Sequence, residues 1–417
     1  MDKIRTFSEA LAVLRQRHHL FGIERQPKQL KTSDFDGPVV FSNDLETATV
    51  PPAFFTVQTI QELKALGGVP DSHYGSGKME PHHPLPEPFS AERLADASGN
   101  HIDLCKAFRA YIYGDSALVR DYEEMLNAKR FPMKIAFFGG EELTISADKP
   151  LIIADKDCYG EPVVLVYDQI TIEPGGEIIY CTNGTVKANA IVGHGSAQKP
   201  DFISKGSNGI DGFDGESGCN GLNGRDGVAG IDKAYGCAVE STAGTDAIDG
   251  SSGGLGMGGG SGGNANDIVI DVQLLTGPVN VLSIGGNGGN GGNGGNGGNG
   301  GTGGNGGNEV GKCSAGCGGN GGNGGDGGHA GNGGKGGDSG NVYIYFPEGQ
   351  PVINARSYGG NGGNGGKGGK GGKGGEGGKG GAGDSSQPGV SGQDGIDGKS
   401  GGVGVAGKIY VNGNVQG

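Results

Sequence analysis

Two sets of side chains are of types that could do chemistry. Glu80, His82 and His83, with Asp71 and His73 nearby, offer the carboxylate and imidazole ligands that hold a transition-metal ion. Their spacing matches no recognised ligand pattern, and Pro81 and Pro84 flank the histidine pair, so a solvated loop is the simpler reading. Cys313 and Cys317 stand four apart in a turn and could pair, or hold a metal together with Cys237, but no histidine lies close in sequence. His329 occupies a position that elsewhere carries Asn, Asp or Lys, which suits a solvent-facing ridge better than catalysis. No Ser/His/Asp or Cys/His arrangement can be placed, and no glycine-rich loop follows a strand and opens a helix as a phosphate-binding fingerprint requires. The expectation is a non-enzymatic chain without cofactor or metal.

Composition points the same way. Of 417 residues, 97 are glycine and none is tryptophan. The glycines crowd into the C-terminal half, and a segment so poor in side chains cannot build the hydrophobic core of a large enzyme. Thirty-two basic against 46 acidic residues give a net charge of -14, which disfavours nucleic acid or an anionic membrane as partner. No run of 18 apolar residues suggests membrane insertion, and residues 1–20 hold no signal-peptide core. Seven scattered cysteines suit synthesis in a reducing cytoplasm better than a disulfide framework.

Four regions follow along the chain. Residues 1–134 read as a mainly helical attachment region. Capping boxes stand at Thr6–Glu9 and Thr59–Glu62, the second stopped by Gly67-Gly68, and a longer helical stretch runs from Ala91 to about Asn127. Residues 135–203 change to short β-branched runs such as PLIIAD and PVVLVY, expected to form a β-strand or β-solenoid-like cap. Residues 204–407 carry glycine at every third position in six tracts, and residues 408–417 hold a terminal strand.

The tracts come in pairs. Short turns at 231–243, 309–317 and 384–388 join the tracts within a pair, and β-like segments at 265–284 and 341–358 join one pair to the next. Strand, turn, strand, tract, turn and tract recur three times at about 75 residues per unit. A polyproline-II-type helix has three residues per turn and rises about 3.1 Å per residue, so glycine on one register makes a face that another backbone can approach. GGN and GGK tracts have two such faces and suit interior positions; GXY tracts such as GIDGFDGESGCNGLNG have one and suit an edge. Proline is nearly absent from the tracts, which argues against collagen, and matched lengths with regular turns argue against flexible linkers. The expected fold class is an α/β N-terminal region, short β strands, and a bundle of six polyglycine-II helices with β connections.

With these tracts, residues 204–407 resemble the polyglycine-II sandwich domains of tail-fibre-tip adhesins from T-even-like bacteriophages. No GxxxxGK[ST] loop follows them, so the glycine-rich GTPases are a poorer match. The resemblance implies a receptor-binding adhesin that meets a cell-surface protein or glycan through loops at one end, a carrier or fibre protein at residues 1–134, and a virion or extracellular location. By residue type and position the contact side chains are expected in the turns, at Lys233, Tyr235, Glu309, Lys312 and Gln387. The alternatives are a self-assembling structural protein, or an ice-binding protein that uses the regularly spaced Asn residues and Thr302.

Overall fold

The structure, a computed structural model, describes residues 26–75, 83–156, 163–182, 184–195 and 199–416. The capping box at Thr6–Glu9 lies outside these residues. Apolar runs build two stacked sheets. The first contains β1 (Gln29–Lys31), β3 (Ala53–Val57), β4 (Met133–Ile145), β6 (Val163–Ile172), β8 (Gly184–Gly193), β12 (Ile268–Thr276), β14 (Val342–Tyr345), β16 (Ile409–Val411) and β17 (Asn414–Gln416). The second contains β2 (Val39–Ser42), β5 (Leu151–Ala154), β7 (Ile178–Tyr180), β9 (Phe202–Lys205), β13 (Pro278–Ile284) and β15 (Val352–Tyr358). From β4 to β15, apart from a separate hairpin between β9 and β12, the chain alternates between the sheets, so each turn adds one parallel strand to both. Among the described residues only β3 and β17 pair antiparallel within them.

Strand β6, VVLVYDQITI, shows why the residues fall where they do. Val163, Leu165 and Tyr167 face the second sheet, where Phe41 stacks on Phe138 at 4.2 Å between ring centres. Val164 and Val166 face outward into a second core, built with helices inserted between β3 and β4. A strand buried on both faces reads as a continuous apolar run. Past Tyr167 the helices no longer cover the sheet, and the pattern becomes alternating, with Gln169 exposed and Ile170 and Ile172 buried.

The helices are α1 (Ile60–Gly67), α2 (Ala91–Leu94), α3 (Ile102–Tyr113) and α4 (Glu123–Arg130). At the second capping box Glu62 N–H donates to Thr59 Oγ1 (3.2 Å) as the motif implies, and Glu62 Oε2 accepts from Gln58 N–H (2.9 Å), one residue before the cap. Ile60, Leu63, Phe108, Ile112 and Leu126 pack against Val164, Val166, Val269, Tyr343 and Tyr410 of the first sheet.

The expected fold class is thereby corrected. The chain is 27% strand against 12% helix, and its architecture is two large, mostly parallel sheets rather than an α/β region followed by a bundle of six polyglycine-II helices. Residues 29–57 supply three strands to those sheets, and the stretch from Ala91 breaks into α2, α3 and α4. The physical reason lies in burial. The β-like segments read as connections hold the buried Val, Ile, Phe and Tyr side chains, so they are the framework, and the glycine tracts continue from their ends.

Each tract leaves the end of a second-sheet strand or leads into a first-sheet strand. The first (206–230), third (285–308) and fifth (359–380) follow β9, β13 and β15; the second (241–265), fourth (316–340) and sixth (389–407) enter β12, β14 and β16. Outside the turns they are extended segments in neither helix nor sheet, joined laterally at every third residue. Gly212 N–H donates to the Asn290 carbonyl (2.7 Å), Gly291 to Asn364 (2.8 Å) and Gly292 to Met257 (2.8 Å). The third and fourth tracts lie inside, while the decorated first and sixth are outermost.

Asparagine and aspartate in the third register bond sideways as well as facing water. Asp214 Oδ1 accepts from Asn293 N–H (2.6 Å), and Asn293 Oδ1 accepts from Lys367 N–H (2.9 Å). The fifth tract is the last of its layer and has no further backbone to serve. There the register opens with Asn361 and Asn364 and continues with Lys367, Lys370 and Lys373.

Two outcomes test this packing. A Cβ at Gly291 would collide with the Gly331 carbonyl, so Gly291→Ala should prevent cooperative folding, whereas Asn293→Ser should cost about 1 kcal/mol for one exposed hydrogen bond. Equal thermal midpoints for the two variants would contradict the arrangement. In the body, Asp201 is fully buried beside β9, and burial raises its carboxyl to about 6 although Asn280 N–H (2.7 Å) favours the ionised form. A folded value above the unfolded one means the native state holds the proton more tightly, so this group favours folding increasingly as pH falls from about 6 towards 4. Asp201→Asn should raise the melting temperature at pH 7.5 and leave it nearly unchanged at pH 4.

Candidate functional site

The three turns lie side by side at the ends of the tracts farthest from the sheets. In the first, β10 (Ile231–Lys233) and β11 (Gly236–Val239) form an antiparallel hairpin. Ala234 and Tyr235 cross its end, and Gly236 takes a φ of +142° that only glycine adopts readily. In the second, Val310 and Cys313 bridge antiparallel around Gly311 (φ +58°), the left-handed residue a two-residue turn needs at its first central position. The third closes with Gly383 N–H on the Gly380 carbonyl (2.8 Å).

The first two turns are cross-braced. Cys237 and Cys313, with Cα atoms 4.8 Å apart, form a disulfide. Lys312 Nζ donates to the Ala234 carbonyl (3.2 Å), Ser314 N–H to Glu240 Oε2 (3.0 Å) and Ser241 Oγ to the Asn308 carbonyl (2.8 Å). Of the pairings open in the sequence, Cys313 thus bonds to Cys237 and not to Cys317. Cys237, Cys313 and Glu240 do lie together, but both sulfurs are committed to the bond, and Cys317 stands apart and exposed.

Of the five side chains assigned to the turns, Lys233, Tyr235, Glu309 and Lys312 come together on the braced pair, all exposed, with Tyr235 at 103% of its reference area. Gln387 lies in the third turn, two residues before the sixth tract. Its N–H donates to Asn320 Oδ1 (3.2 Å) and its carbonyl accepts from Gly321 (2.9 Å), so its backbone is part of the lattice while its side chain is exposed.

Among the described residues, Asp71, His73 and His83 form no group that could hold a metal. His83 is buried and its Nε2 lies 3.2 Å from Asp267 Oδ2, with Arg109 Nη2 3.7 Å from the same carboxylate, so it belongs to the interior and not to a solvated loop. Asp71 pairs with Lys64 Nζ (2.9 Å) and accepts from Ser116 Oγ (2.6 Å). Burial works against its charge, but these bonds hold the carboxyl below its ordinary value. His73 lies against the Tyr345 ring at 4.2 Å. Glu80 and His82 lie outside the described residues. His329 takes an asparagine's place in full: exposed, its Nδ1 accepts from Ile396 N–H (3.0 Å).

Sequence reasoning missed the groups that close the lattice edges. Thr242, Thr245 and Ser251 hydroxyls accept from the N–H groups of Val228, Arg225 and Cys219 (2.7–2.8 Å) on the first tract. Asp397, Asp394 and Ser391 accept from Gly368, Gly371 and Gly374 (2.7, 2.8 and 3.2 Å) on the fifth. Hydroxyl or carboxylate residues recurring every third position beside glycine are the signal that could have found them. Outermost tracts also expose apolar side chains, including Ile210, Phe213 and Leu222 on the first and Val390, Ile396 and Val403 on the sixth.

No protein-family model, curated protein or solved structure matches the chain. No helix among the described residues is long and apolar enough to cross a membrane.

The brace yields its own expectation. Reduction, or Cys313→Ser, should speed amide exchange at 231–243 and 309–317 while β6, β8 and β12 keep their protection, because the tips alone lose the cross-link. Loss of protection across the sheets would show that the bond supports the whole fold.

Proposed function

We propose that the chain is a non-enzymatic receptor-binding adhesin whose braced tips engage a cell-surface protein or glycan. The observation that carries this reading is the joining of two successive turns by the Cys237–Cys313 bond, which holds Tyr235 fully exposed among Lys233, Glu309 and Lys312. Side chains repeating along the tracts offer little that is unique to one target, whereas the tips combine an aromatic ring with charges of both signs on an ordered backbone. A disulfide at the tip fits work outside the cytoplasm. Capped tract edges weigh against the rival reading of self-assembly, since the N–H groups that would recruit another backbone are already satisfied at several levels. In this reading a carrier or fibre protein is met by the body around residues 1–134.

The test uses labelled full-length chain on a panel of intact bacterial cells and on immobilised glycans. Tyr235→Ala and the double change Lys233→Ala, Lys312→Ala should weaken binding by about tenfold or more, and Lys370→Ala on the fifth tract should not. Equal binding by all three, with unchanged thermal unfolding, would place recognition elsewhere.

A further inference from the structure

The second sheet stops short of the first. Among the described residues its last strand, β15, pairs with β13 alone, whereas β16 and β17 continue the first sheet beyond β14. Val352 N–H donates to the Gly277 carbonyl (3.2 Å), and the Tyr358 carbonyl accepts from Gly285 (2.9 Å). Even-numbered residues therefore spend their backbone groups towards β13, and by strand alternation those of Ile353, Ala355 and Ser357 point to the open side. At its other end the same sheet is closed, since Val40 of β2 exchanges hydrogen bonds with Thr49 N–H and Oγ1, each at 2.9 Å. The open edge adjoins a cleft of ~370 Å³ lined by Ala355, Arg356, Lys408, Ile409, Val415 and Gln416 among others.

We propose that this edge receives one extended, acidic segment of a partner protein, added as a further strand beside β15. Main-chain bonds to Ile353, Ala355 and Ser357 fix its register, as in other strand additions. The overhanging β16 and β17 roof the vacant position. A second folded sheet with its own facing layer is kept out, and a single extended chain is admitted. Charge selects the segment: Arg356 and Lys408 line the cleft, and among the described residues no Asp or Glu does. Alternate residues of the segment meet Ala355, Ile409 and Val415 and are aliphatic. The site is independent of the tips and of their ligand.

Fluorescence anisotropy on the full-length chain tests this with two labelled probes, a short peptide of alternating Glu and Val and its Lys and Val counterpart. The Glu-Val peptide should bind saturably and at least about tenfold tighter than the Lys-Val peptide. Ala355→Pro removes an N–H that faces the open side, where an edge strand tolerates proline, and should abolish binding with little change in thermal unfolding. Arg356→Glu, on an exposed side chain, should reverse the preference between the probes. Absence of saturable binding, equal affinity for both probes, or indifference to both variants would overturn the proposal. So would a dimer in sedimentation that Ala355→Pro dissolves, because the edge would then serve a second copy.

Discussion

Backbone N–H···O=C bonding sets neighbouring strands about 4.8 Å apart, and fully exposed glycine backbones can join laterally by the same bond. Everything else in the molecule depends on that shared spacing. Because strand and tract repeat at one interval, β9, β13 and β15 pass directly into the first, third and fifth tracts without a change of neighbours. Ile284 pairs with Lys205 on one side and Tyr358 on the other, and the tracts that follow keep that order. At the returning end, Ile268, Val342 and Ile409 hold the even tracts in step. Apolar burial is thus concentrated in the sheets and helices, and the alignment it fixes is handed on to segments that bury little themselves.

That division explains which parts were legible in the sequence. The three-residue period, the pairing of tracts, the outer position of GXY segments and the stop of α1 at its glycine pair are local, written in spacing that one chain displays. The dominance of sheet was not legible, because IVIDV and VYIY look like connectors until their partners are known. Partners lie 67 to 84 residues away, as in Val342 beside Ile409 and Gly184 beside Ile268. His83 shows the same limit. Between prolines it reads as solvated, and only the return of Asp267 at the entrance to β12 makes it interior.

The candidate site was half legible for a related reason. Residue type and turn position found Lys233, Tyr235, Glu309 and Lys312, since exposed charges and aromatics at turns are a local pattern. The disulfide was not, because Cys237 and Cys313 are 76 residues apart and become neighbours only through two tracts of matched length. Gln387 keeps an exposed side chain, while a bond from its N–H to Asn320 ties its backbone to the lattice.

The alternation of the chain between two sheets carries a parity rule. One whole unit contributes one strand to each sheet, one tract to each layer and one tip, so a duplicated unit placed between β13 and β14 would lengthen the row and leave both specialised ends as they are. Half a unit could not, because the chain would re-enter the wrong sheet. The molecule can therefore lengthen only in whole steps of one tip, and where another backbone follows in the layer, third-register side chains such as Asp214 and Asn293 bond to it.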